Sequence, residues 1–176
     1  MTPTVLDHAA IRALLPHGHP MVLVDRVVAL EPGVSIVGLK AITGSEPCYR
    51  DVVTGASRDR LAYPVSLMLE SFGQTAAVLW LVGLSSSPIR GDHVLMLVAI
   101  RDCTIEGRAY PGDVLRHVAR IDQVIGDNVF VQGEILVGDR RVAGIGSMMA
   151  VMRPRAVLSD RASAPDTGNR PEGDAP

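Results

Sequence analysis

One carboxylate stands out for chemistry. Between Leu61 and Ile89 the only charged residue is Glu70, and Gln74 follows it by one helical turn. A carboxylate in an apolar stretch is costly to desolvate unless it is hydrogen-bonded or protonated. Desolvation favours the protonated form, which suits a general acid. The plainer alternative is a structural Glu that faces solvent at a helix start or caps a neighbouring loop. Spacing alone does not separate the two. Other groups offer less. His17 and His19 stand at i, i+2, but no third ligand accompanies them, so no metal is expected. Cys48 has no neighbour to lower its pKa and reads as a packed thiol. Asp51 and Asp59 could act as bases, though an exposed Asp is a weak one. Asp25 and Arg26 read as a structural polar pair, and His93 and His117 as strand residues on a surface or sheet face.

The elements that must position Glu70 are legible in the hydrophobic pattern. Residues 5–15 form a short amphipathic helix with Asp7 as its cap and Pro16 just past its end. Val- and Leu-rich residues 21–30 read as a strand, Glu31-Pro32-Gly33 as a turn, and 34–42 as a second strand. Residues 43–63 are polar and irregular. From Pro64 to Leu84, Val65, Met68, Leu69, Phe72, Ala76, Leu79, Trp80 and Gly83 fall at helical spacing, and the other faces are apolar or small. A helix hydrophobic all round is buried. It is a poor membrane span, because Glu70 interrupts it. Four strands follow at 93–107, 113–125, 128–137 and 141–152, with hairpin turns at Gly126-Asp127 and Gly138-Asp139. Residues 154–176 read as a disordered tail, which leaves one domain over 1–153. The order is two strands, a helix and four antiparallel strands, an α+β pattern. A single sheet wrapped around one central helix satisfies it and leaves one side of the helix for a partner copy to cover.

Composition narrows the function. The chain has 176 residues, of which 47% are hydrophobic and 20% charged, so it can bury a sizeable core. A net charge of −2 gives no basic field for nucleic acid or an anionic membrane, and 3% aromatic residues leave few platforms for base stacking. Two cysteines make no disulfide framework, and no signal peptide is evident, so a reducing cytoplasm is the expected compartment.

Several stretches together resemble one family. LLPHGHPMVLVDRVVALEPG at 14–33 is similar to the opening of the hot-dog-fold 3-hydroxyacyl-ACP dehydratases, with Leu-Pro-His, Val-Asp-Arg-Val and Glu-Pro-Gly in order. Glu46-Pro47 matches the Glu-Pro before that family's active-site loop. LMLESFGQTAAVL at 67–79 resembles its Glu-x-x-x-Gln helix, and residues 98–121 its strand, Pro-Gly-Asp turn and strand. The resemblance covers residues 10–153. It implies a hot-dog dimer handling acyl chains on a phosphopantetheine arm, with acyl carrier protein (or CoA) as carrier and no cofactor. It makes His17 and His19 part of a structural turn. It places Val52, Gly55, Tyr63 and Val65 around the substrate, with the Val65 N–H as a donor at the helix start. Glu70 becomes the general acid and Gln74 its orienting neighbour.

One part of the family pattern is absent. The family's loop carries Gly-His-Phe-Pro-Gly, whose His is the base. Here Asp51-Val52-Val53-Thr54-Gly55 stands there, Val52 occupies the position of the His, and no His lies between His19 and His93. The Met-Pro-Gly of the helix start is Tyr63-Pro64-Val65. Because the family's site spans a dimer interface, a chain with the Glu but no His can complete a site with a His-bearing hot-dog partner. The expectation is therefore a heteromeric dehydratase subunit of fatty acid or polyketide biosynthesis. The alternatives are a non-catalytic acyl-ACP binding or scaffold subunit, and a hot-dog thioesterase. Arg58, Arg60 and Arg90 read as a solvated loop, with contact to an acidic carrier as the lesser possibility.

Overall fold

The structure is a computed structural model and describes residues 6–84, 93–154 and 156. Asp7 caps α1 (His8–Leu14), its side chain accepting the Ala10 N–H at 2.9 Å. The strand expected from residue 21 starts at Arg26 instead, as β1 (Arg26–Glu31). The reason lies in the helix side chain that intercepts residues 21–23, described below. Pro32 and Gly33 then form the central pair of a turn closed by the Val34 N–H on the Glu31 carbonyl at 2.9 Å. Gly33 has φ 73°, the left-handed conformation that this turn position needs. β2 (Ser35–Ala41) returns antiparallel.

Residues 43–63 contain two short 3-10 turns, Pro47–Tyr49 and Arg58–Leu61. Lys40, the single lysine of the chain, anchors this loop. Its ammonium donates to Glu46 Oε1 at 2.6 Å and to the Ala41 carbonyl at 2.8 Å, and both side chains of the ion pair are about nine-tenths buried. Asp25 does not pair with Arg26; its carboxylate accepts the Ala41 N–H at 2.6 Å.

α2 (Val65–Gly83) is the central helix, with Pro64 at its N-cap. β3 (His93–Ile105), β4 (Val114–Ile125), β5 (Asn128–Val137) and β6 (Arg140–Pro154) complete one antiparallel sheet in the order β1-β2-β4-β5-β6-β3. Its inner face carries Ile36, Leu115, Ala119, Ile135 and Met148 against Met68, Phe72 and Leu79 of the helix. The sheet is shaped to admit α2. A Cβ on Gly133 would lie 2.0 Å from the Val118 carbonyl oxygen and 3.0 Å from the Phe72 ring. One on Gly38 would lie 2.7 Å from Thr75.

The stretch Arg58–Gly83 contains a window long and apolar enough to cross a membrane by composition, but half of that window is buried inside the molecule. Met68, Phe72, Ala76, Leu79 and Trp80 of the expected helix face are buried, but Val65 and Gly83 at its ends are exposed, and the buried face extends to Ser71, Gln74 and Thr75. The expected tail lies outside the described residues except for Pro154, which closes β6, and Ala156.

Candidate active site

Glu70 and Gln74 sit one turn apart on α2, as expected. Gln74 is 1% exposed and uses its amide fully. Its Oε1 accepts the Leu23 N–H at 2.8 Å, and its Nε2 donates to the Met21 carbonyl at 2.6 Å and to Glu70 Oε1 at 2.9 Å. These bonds take backbone groups that a strand over 21–25 would have needed. They also tie the carboxylate to a segment about fifty residues upstream.

That segment delivers a residue that the sequence reading left in a structural turn. His17 Nε2 lies 3.3 Å from Glu70 Oε1. No short-range pattern links positions 17 and 70. The available signal was negative: a helix carboxylate with only one polar neighbour, and an upstream loop holding two imidazoles. The His17 Nδ1 is buried without a partner. An orphaned N–H there would be costlier than an unused lone pair, so the proton belongs on Nε2, facing Glu70. Gln74 thus donates to Oε1, with the His17 ring nitrogen 3.3 Å from the same oxygen as a close polar contact, while Oε2 has no partner among the described residues.

The side chain of Glu70 keeps 32% exposure, so the full desolvation expected from the sequence is not reached within one chain. Hydrogen bonding, rather than burial, fixes the carboxylate. His17, Glu70 and Gln74 share a cavity of about 200 Å³ with Gly73, Ala77 and Trp80 of α2 and apolar residues of β3, β5 and β6. Glu70 and Trp80 are ten residues apart, so the cavity runs roughly 15 Å along the helix. Away from His17, Glu70 and Gln74 its wall is apolar, a lining for hydrocarbon.

Four expected substrate residues do not line this cavity. Tyr63 is 2% exposed, its N–H bonded to the Ala109 carbonyl at 2.8 Å. Burial, and then the Glu46 carboxylate, hold its hydroxyl well above the usual tyrosine range, and its side chain packs in the core. Val52 packs against the core, and Gly55 turns the exposed loop with φ 82°. Val65 opens α2 on the exposed side, where first-turn N–H groups have no partner within the helix.

Asp59 pairs with Arg108, which removes it as a free base, and Asp51 is exposed. Arg58 lies over the Tyr110 ring at 4.4 Å, and Arg90 falls outside the described residues. Burial first, and Glu46 second, push the Cys48 thiol up, in line with a packed group. His93 is exposed, but His117 is fully buried, contrary to the surface alternative.

A helix wrapped by one antiparallel sheet of this order, with the helix carboxylate opening on an aliphatic cavity, is the hot-dog fold. A hot-dog-like protein from Thermanaerovibrio acidaminovorans shares it, with TM-score 0.55 and 20% identity over 76% of this chain and 90% of that one. A chain of the dehydratase heterocomplex ApeI:P from Xenorhabdus doucetiae matches with TM-score 0.70 and 16% identity over 88% and 97%.

Within that class, the chain belongs to the FabA-like domain family, whose model matches residues 15–145. Among its relatives, the 3-hydroxyacyl-[acyl-carrier-protein] dehydratase FabZ of Solibacter usitatus is 38% identical over 117 residues, covering 66% of this chain and 67% of that protein. The enzyme of the same name from Variovorax paradoxus is 35% identical over 153 residues, covering 87% and 98%.

Proposed function

We propose that this chain is a dehydratase-like subunit for 3-hydroxyacyl thioesters in fatty acid or polyketide synthesis, and that a His-bearing hot-dog partner completes its site. The observation that carries the reading is the Glu70 carboxyl, anchored through Oε1 and open at Oε2, on an aliphatic cavity. The FabZ relatives are dehydratases, acting on an acyl chain held by a carrier protein without a cofactor.

The elimination needs two proton transfers. A base takes the α-proton, and the electron pair forms the new double bond. Glu70 Oε2 gives a proton to the departing hydroxyl, and water leaves. The thioester oxygen gains charge as the α-proton departs, and first-turn N–H groups such as that of Val65 are suited to stabilise it. Gln74, which donates to Oε1, stabilises the carboxylate left on Glu70.

The base is what this chain lacks. Residues 46–63 hold no imidazole. His17 does not replace it, because its Nε2 is turned to Glu70 and its Nδ1 is buried. A partner's loop His fills the gap. The structural neighbour from Xenorhabdus doucetiae belongs to a dehydratase heterocomplex, which supports assembly of this chain with a second one.

The test is to recover partners from the native host with the tagged chain, then to assay the reconstituted pair on 3-hydroxyacyl-pantetheine. The pair is expected to dehydrate about 10² to 10⁴ times faster than this chain alone, and Glu70→Gln to abolish the gain. Full turnover by this chain alone, or full activity with Glu70→Gln, would overturn the reading. Tight acyl-carrier binding without turnover in any pair would favour a scaffold subunit. Release of free acid would favour a thioesterase.

A further inference from the structure

The geometry points to His17 as a positioning residue for Glu70: its neutral imidazole, protonated at Nε2, stabilises the carboxylate that remains after Glu70 has given up its proton. This rests on the dehydratase reading and adds a role for a residue outside the Glu-x-x-x-Gln helix pair.

Three observations carry it. His17 Nε2 is 3.3 Å from Glu70 Oε1, the oxygen that also accepts from Gln74. Both His17 and Glu70 line the aliphatic cavity. The buried Nδ1 without a partner disfavours a second ring proton, because an imidazolium would leave that N–H orphaned. A neutral ring with its single proton on Nε2 leaves both ring nitrogens consistent with their surroundings. The 3.3 Å contact is not aligned as a hydrogen bond, as catalytic contacts without substrate often are not.

The chemical consequence follows from the two oxygens. Oε2 is free to hold the proton that protonates the leaving hydroxyl. As that proton leaves, negative charge spreads to Oε1, where the Gln74 amide already donates and the His17 ring stands close enough to turn its N–H onto the same oxygen. Their bonds strengthen during the step, so they favour the transition state over the ground state. His17 is held in place by the loop that Gln74 anchors at Met21 and Leu23, and by the Met21 N–H on the Gly18 carbonyl at 2.8 Å.

The experiment has two readouts. In the full-length protein, ring-nitrogen NMR is expected to show His17 protonated at Nε2 alone. Glu70→Gln should move the His17 ring-nitrogen resonances and leave those of His117 in place. His17 resonances indifferent to Glu70→Gln, or a proton on Nδ1, would overturn the inference whether or not any pair turns over. In the reconstituted pair, His17→Leu is expected to lower kcat by about 10- to 100-fold, the worth of one hydrogen bond to a charged group, with KM little changed. His17→Gln, which restores an amide donor, should recover most of the loss. A rise in KM alone would mark His17 as cavity wall and refute the positioning role. If no pair dehydrates, the functional reading fails, and the resonances still decide the contact.

Discussion

Acid should weaken this fold through one imidazole. His117 is completely buried on β4, with its Nε2 2.9 Å from Ser71 Oγ. Ser71 donates its only hydroxyl proton to the Met68 carbonyl at 3.0 Å, so the proton shared with His117 belongs to Nε2. The Nδ1 has no partner. The ring is therefore neutral. Burial first, and the Lys40 ammonium second, push its pKa down to about 3.

Since the folded value is depressed, the unfolded chain binds the proton first as pH falls. Stability is complete above the unfolded value, near 6.5, and is lost progressively toward the folded one. The slope is about 1.4 kcal/mol per pH unit, so roughly 2.7 kcal/mol disappears between about pH 8 and about pH 4.5. That is a large part of a typical domain's 5–15 kcal/mol.

Urea unfolding followed by the fluorescence of Trp80, the single tryptophan, measures it at fixed protein concentration. His117→Gln keeps a donor for Ser71 but cannot titrate, and carboxylate contributions cancel between the two proteins. Wild type should lose stability relative to His117→Gln as pH falls. Parallel curves across that range would show that His117 takes up a proton in the folded state, and the tautomer argument would fall.

Two further outcomes test the framework. Gln74→Leu strands the buried Leu23 N–H, while the Met21 carbonyl, in a 40% exposed residue, can turn to water. A loss of about 2–4 kcal/mol in urea unfolding is expected, with activity of the reconstituted pair falling as well. Gly133→Ala drives a methyl into the Val118 carbonyl, a backbone atom that cannot swing aside. A drop of about 3 kcal/mol or more, or failure to fold, is expected by thermal melting, and a near-neutral Tm would contradict the close approach.

The fold was readable because its signals are local. Strand alternation, the hairpin glycines 126 and 138 and the unbroken apolar helix each state their element within a few residues. What was misread depends on long-range partners. Residues 21–25 have strand composition, yet the Met21 carbonyl and the Leu23 N–H bond to Gln74 on the helix. His117 shares the inward side of β4 with Leu115 and Ala119, so period-two alternation carried the signal of its burial. Its partner Ser71, 46 residues away, did not announce itself. The site was half legible. Glu70 and Gln74 are neighbours by helical geometry, whereas His17 reaches them only after the loop ahead of β1 has docked on α2. The loop residues Val52, Gly55 and Tyr63 followed from family resemblance, and in this chain they stand away from the cavity.

The all-round apolar character of α2 also bears on how the protein is made. Of the described strands only β1 and β2 precede the helix, and about 70 residues separate Gly83 from the end of β6. At roughly 5–20 residues per second, synthesis of that remainder takes about 4 to 14 s. Throughout that interval Met68, Phe72 and Leu79 lack the inner faces of β4, β5 and β6 that later enclose them. The nascent chain therefore carries a sticky helix before its wrapping exists, an interval in which exposed apolar surface is open to aggregation.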